Sequence, residues 1–196
     1  MAWQTDFTYC KVTGWGWYYL STVMDDFSRY ILAWRLCTTM SAQDVKDSLD
    51  DALAFTGLDT VKVKHKPRLL SDNGPSYVAA DLAKYLAEQD MAHTRGRPYH
   101  PQTQGKIERW HRSLKNRILL EHNYLPGELE AAIQHFVDHY NNERYHESLN
   151  NLTPADVYYG RDREILARRQ QIKLHTMAMR RKMHARNRVE SLAQMS

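Results

Sequence analysis

The chain has 196 residues, enough for one domain with a full apolar core and too few for two ordinary domains with linkers. Its net charge of +4 is uneven: residues 161–196 hold ten Lys/Arg against three acids, which makes everything before them slightly acidic and points the tail toward a polyanionic partner. Two cysteines without a CxxC pair exclude a disulfide framework and a cysteine zinc site, and no run approaches the ~18 apolar residues of a membrane span or the pattern of a signal peptide, so a soluble, unprocessed protein of a reducing compartment is expected.

Residues 3–9, WQTDFTY, alternate with Trp3, Thr5, Phe7 and Tyr9 on one face and Gln4, Asp6 and Thr8 on the other, the period of a strand with Asp6 projecting from its middle. The β-rich runs 16–25 and 30–36 flank a short polar link, DFSR, and predict an antiparallel hairpin or meander. Ser41 opens SAQD, a capping-box start, and Val45, Leu49, Ala52 and Leu53 recur at helical spacing until Gly57, giving a helix over 41–56. RLLSD then NGP places Asp72 at the end of a strand, just before a turn. A helix over 76–89 and a short strand over 91–94 follow, and strands alternating with helices imply an α/β fold with a partly parallel sheet. From 103 or 104 a helix runs with Ile107, Trp110 or His111, Leu114 and Ile118 on its core stripe, after a Pro/Gly-rich surface loop over 96–105. Another helix is expected over 128–143, and the basic tail has only weak helical periodicity.

Three acids stand alone in sequence. Asp6 is the only one before Asp25, Asp72 the only one between Asp59 and Asp81, and Glu108 is the only one between Asp90 and Glu121, among seven Lys/Arg. For Glu108 the bland explanation is an i,i+4 ion pair with Arg112 that solubilises a basic helix. The alternative is chemistry. Hard divalent cations take oxygen ligands, and three carboxylates from separate elements could hold two of them about 3.5–4 Å apart around an in-line phosphoryl displacement. The surrounding bases would then hold a phosphodiester strand.

WQTDFTY, DDFSRYILAW, SDNGP, HPQTQGKIERWHRSLK and YNNERYHESLNNLTPADVYYG, in that order over residues 3 to about 160, resemble the catalytic core of the retroviral-integrase-like insertion-sequence transposases. The signature of that family is Asp, Asp, then Glu after thirty-five intervening residues, as between Asp72 and Glu108 here. The resemblance implies a ribonuclease-H-like fold, a five-stranded mixed sheet flanked by helices, with a core over 1–122, a helical extension over 123–160 and a basic tail, helical or disordered, over 161–196. It implies that Asp6, Asp72 and Glu108 are catalytic ligands of two Mg²⁺ or Mn²⁺ ions. Lys115, seven places after the Glu, is implied as a contact to DNA, with Arg112, Lys106, Arg109, Gln104 and Arg97 beside it and Asn73, Gly74 and Gly105 in support. The implied partners are double-stranded DNA, both element ends and target, and further copies of the chain as a homodimer or higher oligomer, in a bacterial cytoplasm and on the nucleoid when DNA is bound. Full-length relatives carry a helix-turn-helix region ahead of the first Asp, so an Asp strand that begins within six residues of Met1 implies an excised core or a truncated gene. A silent DNA-binding remnant and a ribonuclease-H-type nuclease are the rival functions.

Other groups are expected to be structural. Asp25 and Asp26 suit a turn. His135 and His139 have zinc-pair spacing on a helix but no third ligand. Asp44, Asp47, Asp50 and Asp51 form a solvated helix face, and Trp110 belongs to the core rather than to a base-stacking surface. Arg144 and His146 could order the C-terminal segment or touch DNA.

Overall fold

A computed structural model describes residues 1–12, 14–61, 63, 65–96, 104–118 and 125–193, with side chains described to 188. Two compact units appear, Met1–Tyr158 and Tyr159–Ser196. In the first, β1 (Ala2–Val12), β2 (Gly16–Asp25) and β3 (Ile31–Cys37) form an antiparallel meander, and β4 (Arg68–Ser71) and β5 (His93–Arg95) add in parallel beyond β1. The sheet order is β3-β2-β1-β4-β5. One face carries α1 (Ala42–Thr56), α2 (Pro75–Val78) and α3 (Ala80–Glu88), and the other carries α4 (Gly105–Ile118) and α5 (Pro126–Asn142).

The two cores follow from strand alternation. Trp3 and Val23 pack with Leu69, Val45, Leu49, Leu82 and Leu86 on the first face, while Cys10, Val12, Leu20 and Met24 pack with Ile107, Trp110, Leu114, Ile133 and Phe136 on the second. The inner half of β2 is covered on both sides, so its last six residues are all buried and lose the polar alternation of a one-sided strand. The helix expected over 41–56 has the capping box read from its sequence: Asp44 N–H donates to Ser41 Oγ, and Ser41 N–H donates to Asp44 Oδ2. Gly57 closes it with φ of 69°.

The single helix expected over 76–89 is two. Ala79 leaves helical geometry, at φ −61° and ψ 137°, and caps α3. The alanine-rich stretch gives no sequence signal for that break, because alanine favours helix continuation. In the turn after β2, Asp25 acts as expected, its Oδ2 accepting from Ser28 N and Oγ, whereas the Asp26 carboxylate serves long-range contacts instead, accepting from Gln4 and Lys106. On α1, Asp51 accepts from Nε and Nη2 of Arg35, along one edge of its guanidinium, rather than facing only solvent. After α5 come a 3-10 turn at Glu147–Leu149 and the short helix α6 (Pro154–Tyr158).

The second unit is α7 (Asp162–Ala193), 32 residues long and largely exposed over its described side chains. Its helicity comes from composition: Ala, Arg, Leu, Met, Gln and Lys with no Gly or Pro between its ends. No apolar stripe organises it, which is why periodicity alone signals it weakly.

Candidate active site

Asp6 lies at the centre of β1, paired with Thr22 of β2. Its Oδ1 accepts from the Phe7 backbone N–H at 2.8 Å, and its Oδ2 lies 3.5 Å from Nδ1 of His111, which descends from α4. His111 is buried, with Nε2 3.4 Å from the Thr22 hydroxyl, so the imidazole bridges the two strands beneath the helix.

Asp72 follows directly on β4. The parallel register pairs Ala2 with Arg68, Trp3 with Leu69 and Gln4 with Leu70, and the same offset carried two residues further sets Asp72 level with Asp6. Adjacent strands are about 4.8 Å apart, so the two carboxylates leave neighbouring points of the sheet. The loop is held by short contacts: Asp72 Oδ1 accepts from Gly74 N–H at 2.8 Å, Asn73 Nδ2 donates to Gly96 O at 2.6 Å, and Ser71 Oγ meets His93 Nε2 at 2.8 Å. A Cβ on Gly74 would stand 3.0 Å from Asp72 Oδ1, so the glycine makes room for the carboxylate. Beneath both acids lies Tyr77. Burial first, and then the charges of Asp6 and Asp72, push its phenol well above its ordinary range. Its hydroxyl and that of Thr5 are both buried and have only each other as partners among the described residues, the Thr5 hydroxyl partly offsetting the rise.

Glu108 stands exposed on the first turn of α4. That turn is stapled to the strand residues next to Asp6. Gln104 is buried and its Nε2 donates to Thr5 O at 3.0 Å, and Ile107 N–H donates to Gln4 Oε1 at 3.1 Å. Gln4 Nε2 donates in turn to Asp26 Oδ1, and Lys106 Nζ donates to Asp26 O and Oδ1 at 2.7 and 3.0 Å. Ile107, Trp110, His111, Leu114 and Ile118 fill the core below, as the helical period requires. Glu108 and Arg112 form no ion pair among the described residues.

The extended register thus sets Asp6 and Asp72 on adjacent strands, and Glu108 stands on the first turn of the helix stapled to β1 beside Asp6. Among the described residues, however, no group of three His, Cys, Asp or Glu side chains is close enough to hold a metal ion. The donor chemistry still fits a hard cation: all oxygen, two carboxylates level with each other, and, among the described residues, no lysine or arginine ion-paired to any of the three.

The expected nucleic-acid contacts are placed differently from one another. Arg109 and Arg112 are exposed on α4, and Lys115 Nζ lies 5.7 Å from the centre of the Tyr9 ring. Lys106 and Gln104 spend their side chains on the protein itself. Gly105 has open space about it, and Arg97 lies outside the described residues. His139 Nδ1 sits 3.2 Å from Glu143 on the same helix, with no metal group around it among the described residues. Arg144 lies over the Tyr140 ring. Sequence reading missed His111, Gln4 and Tyr77 as neighbours of the acids. The one available signal was that Gln4 shares the Asp6 face of β1 and His111 lies three residues after Glu108.

The model of the family described as integrase core domain matches residues 1–101, and a second model with the same description matches 89–154. The transposase for insertion sequence element IS629 of Shigella sonnei is 30% identical over 157 residues, 79% of this chain and 50% of that protein. The Pol polyprotein of equine infectious anemia virus (strain Wyoming) is 37% identical over 98 residues, 50% of this chain and 8% of that protein. The chain therefore spans half or less of the length of these relatives. Among solved structures, the magnesium complex of the HTLV-2 integrase catalytic core domain, in its trimeric form, superimposes with a TM-score of 0.61 at 21% identity, covering 79% of this chain and 93% of that one. The catalytic core domain of BIV integrase gives 0.59 at 22% identity, covering 84% and 97%. The fold is ribonuclease-H-like, a mixed five-stranded sheet with helices on both faces, and the chain belongs to the integrase core domain family.

Proposed function

We propose that this chain is the catalytic domain of a DNA transposase or integrase, cleaving DNA at an element's end and joining that end to a target duplex. The observation that carries it is the parallel β1–β4 register, which extended two residues sets two isolated acids level on neighbouring strands, with the third on a helix whose first turn is stapled to Gln4 and Thr5, just before Asp6. Family membership supports the same chemistry. In the first step a water oxygen attacks the end phosphodiester, the P–O bond to the leaving strand breaks, and a 3′-hydroxyl is released. In the second that hydroxyl loses its proton, its oxygen attacks a target phosphate, and the target's own 3′-oxygen leaves and is protonated.

Asp6, Asp72 and Glu108 would hold Mg²⁺ or Mn²⁺, two ions in the full site, which supply Lewis-acid stabilisation of the attacking and leaving oxygens. The HTLV-2 integrase core is a complex with magnesium, which supports that choice of cation. His111 and the Phe7 N–H fix the Asp6 carboxylate from two sides, so its direction is set before substrate arrives. Arg109, Arg112 and Lys115 project from the helix that carries Glu108 and would hold the phosphate chain. The basic helix α7 would add contacts to further phosphates, and action on paired ends implies a homodimer or larger assembly, as the dimeric and trimeric forms of the HTLV-2 core suggest.

The test supplies Mg²⁺ or Mn²⁺, a preprocessed DNA end and a target duplex. Strand-transfer products are expected from the unmutated chain and lost in Asp72→Asn and Glu108→Gln, with thermal unfolding of both variants close to the parent. DNA binding without products would instead support a silent remnant, and cleavage of the RNA strand of a hybrid a ribonuclease-H-type nuclease. If Glu108→Gln mainly unfolds the protein, Glu108 is structural.

A further inference from the structure

The far end of the β1–β2 hairpin is rich in aromatic side chains. Five of the eleven residues from Tyr9 to Tyr19 are aromatic, and residues 7–24 contain no acid; Tyr18 packs against the second core, while Tyr9, Trp15, Trp17 and Tyr19 belong to neither core. In register, Tyr9 stands opposite Tyr19 and Lys11 opposite Trp17, so these four side chains share one face of the hairpin, beyond the point where Phe7 packs on Tyr77. Tyr9 is 52% exposed, Trp17 58% and Trp15, at the turn, 60%. Tyr9 meets Trp17 and Tyr19 edge-on, with centroids 6.4 and 5.6 Å apart, which spaces the rings without stacking one on another. Two ammonium groups accompany them: Lys11 Nζ is 5.7 Å from the Trp17 ring centre, and Lys115 Nζ is 5.7 Å from that of Tyr9.

Rings this exposed lose free energy to water unless something planar or apolar covers them. A second copy meeting this face about a two-fold axis would set Lys11 and Lys115 against their own counterparts, an unfavourable pairing of like charge. A nucleic-acid strand satisfies both features at once, since its bases stack on aromatic faces while its phosphates take the lysines. The platform also adjoins the candidate site. Tyr9 is three residues along β1 from Asp6 but leaves the opposite face of the strand, and it is Lys115, seven residues along α4 from Glu108, that reaches its ring and links the platform to the site, each step about 10 Å along its element.

We propose that Tyr9, Trp15 and Trp17 form a stacking platform for unpaired bases of a DNA strand opened beside the reacting phosphate, with Lys11 and Lys115 on its backbone. The platform rests on the DNA reading above and names which part of the substrate it holds. The strand end is thereby kept unpaired, and the paired duplex beyond it is left to the basic residues of α4.

The test compares a blunt duplex with the same duplex carrying an unpaired single-strand extension that contains 2-aminopurine, using the full chain and Trp15→Ala, Trp17→Ala and Trp17→Phe. Each alanine variant is expected to weaken binding to the extended duplex about tenfold, within the range for loss of one stacked base, and binding to the blunt duplex less than twofold. 2-Aminopurine quenching should disappear with alanine and persist with phenylalanine, and melting curves should match the parent. Equal weakening on both duplexes, or unchanged quenching, overturns the platform. So does a change of molecular mass by light scattering in the alanine variants, which would mark the face as a self-association surface. If the parent binds both duplexes and every variant matches it, only the platform falls. If the parent binds neither, the DNA reading falls with it.

Discussion

Asn141 sets a measurable stake on how α5 holds the edge of the sheet. Its Oδ1 accepts from Ile31 N–H at 2.9 Å and its Nδ2 donates to Ile31 O at 3.0 Å, across 110 residues and in a buried setting. Ile31 begins β3, the outermost strand on that side, so the side-chain amide stands where a further strand would pair. Asn141→Ala removes two hydrogen bonds, each worth about 1 kcal/mol net, and strands a buried donor and acceptor that cost about 1–3 kcal/mol each when no water reaches them. With partial access of water the expected loss is about 3 kcal/mol. For a chain of this size that lowers the melting temperature by about 6–12 °C. Urea unfolding followed by far-ultraviolet circular dichroism should show an earlier midpoint with unchanged slope. Asn141→Asp keeps the acceptor, loses the donor and buries a charge, so it should destabilise at least as much. A loss below about 1 kcal/mol for Asn141→Ala would refute the reasoning, because the pairing would then contribute no more than one ordinary exposed hydrogen bond.

Gly74→Ala should separate site geometry from stability. The backbone there, at φ −59° and ψ 155°, accepts alanine, yet the new Cβ would crowd Asp72 Oδ1 at 3.0 Å. Melting should change little while strand transfer falls by at least about tenfold, as displaced catalytic groups do; unchanged transfer would show that the Asp72 carboxylate tolerates displacement. His146 should make stability depend on pH. Burial first, then the positive charges of Arg144 and Arg29, lower its imidazole to about 4, and its ring packs edge-on against Tyr140. A base depressed in the folded state takes up its proton first in the unfolded chain, so stability is full above about 6.5 and falls as pH drops from there toward 4. Because the group is only half-buried, the contribution is about 1–2 kcal/mol after discounting for solvent screening. Urea midpoints measured across that window should slope less in His146→Phe, and equal slopes would refute the assignment.

The parts of the fold that were legible in sequence are those written in local chemistry. Ser41 and Asp44 cap a helix within four residues of each other, Gly57 ends it through a backbone conformation that glycine favours, and the alternation of β1 fixes which face Asp6 leaves from. What escaped was mostly long-range. Ile31 and Asn141, Gln4 and Ile107, and Thr22 and His111 meet across 110, 103 and 89 residues, and nothing in either neighbourhood encodes the partner. Ala79 escaped for the opposite reason, since its local preference points toward continuing the helix it interrupts. At the site, the isolation of Asp6, Asp72 and Glu108 was visible as charge pattern. The surroundings of the two aspartates, namely His111 beside Asp6, the Gly74 cradle of Asp72 and the buried Tyr77 that feels both charges, needed the third dimension.

The Gln4 amide discriminates direction. Its oxygen faces an N–H of α4 and its nitrogen faces the Asp26 carboxylate, so its two ends are not interchangeable. Glutamate would offer a second acceptor where a donor is required, and methionine would offer neither. Correct docking of the helix is thus conditional on the chemical polarity of one side chain two positions from Asp6. A slipped helix would leave that amide mismatched at both ends, which favours all-or-none seating and keeps partly assembled sites scarce in the folded population.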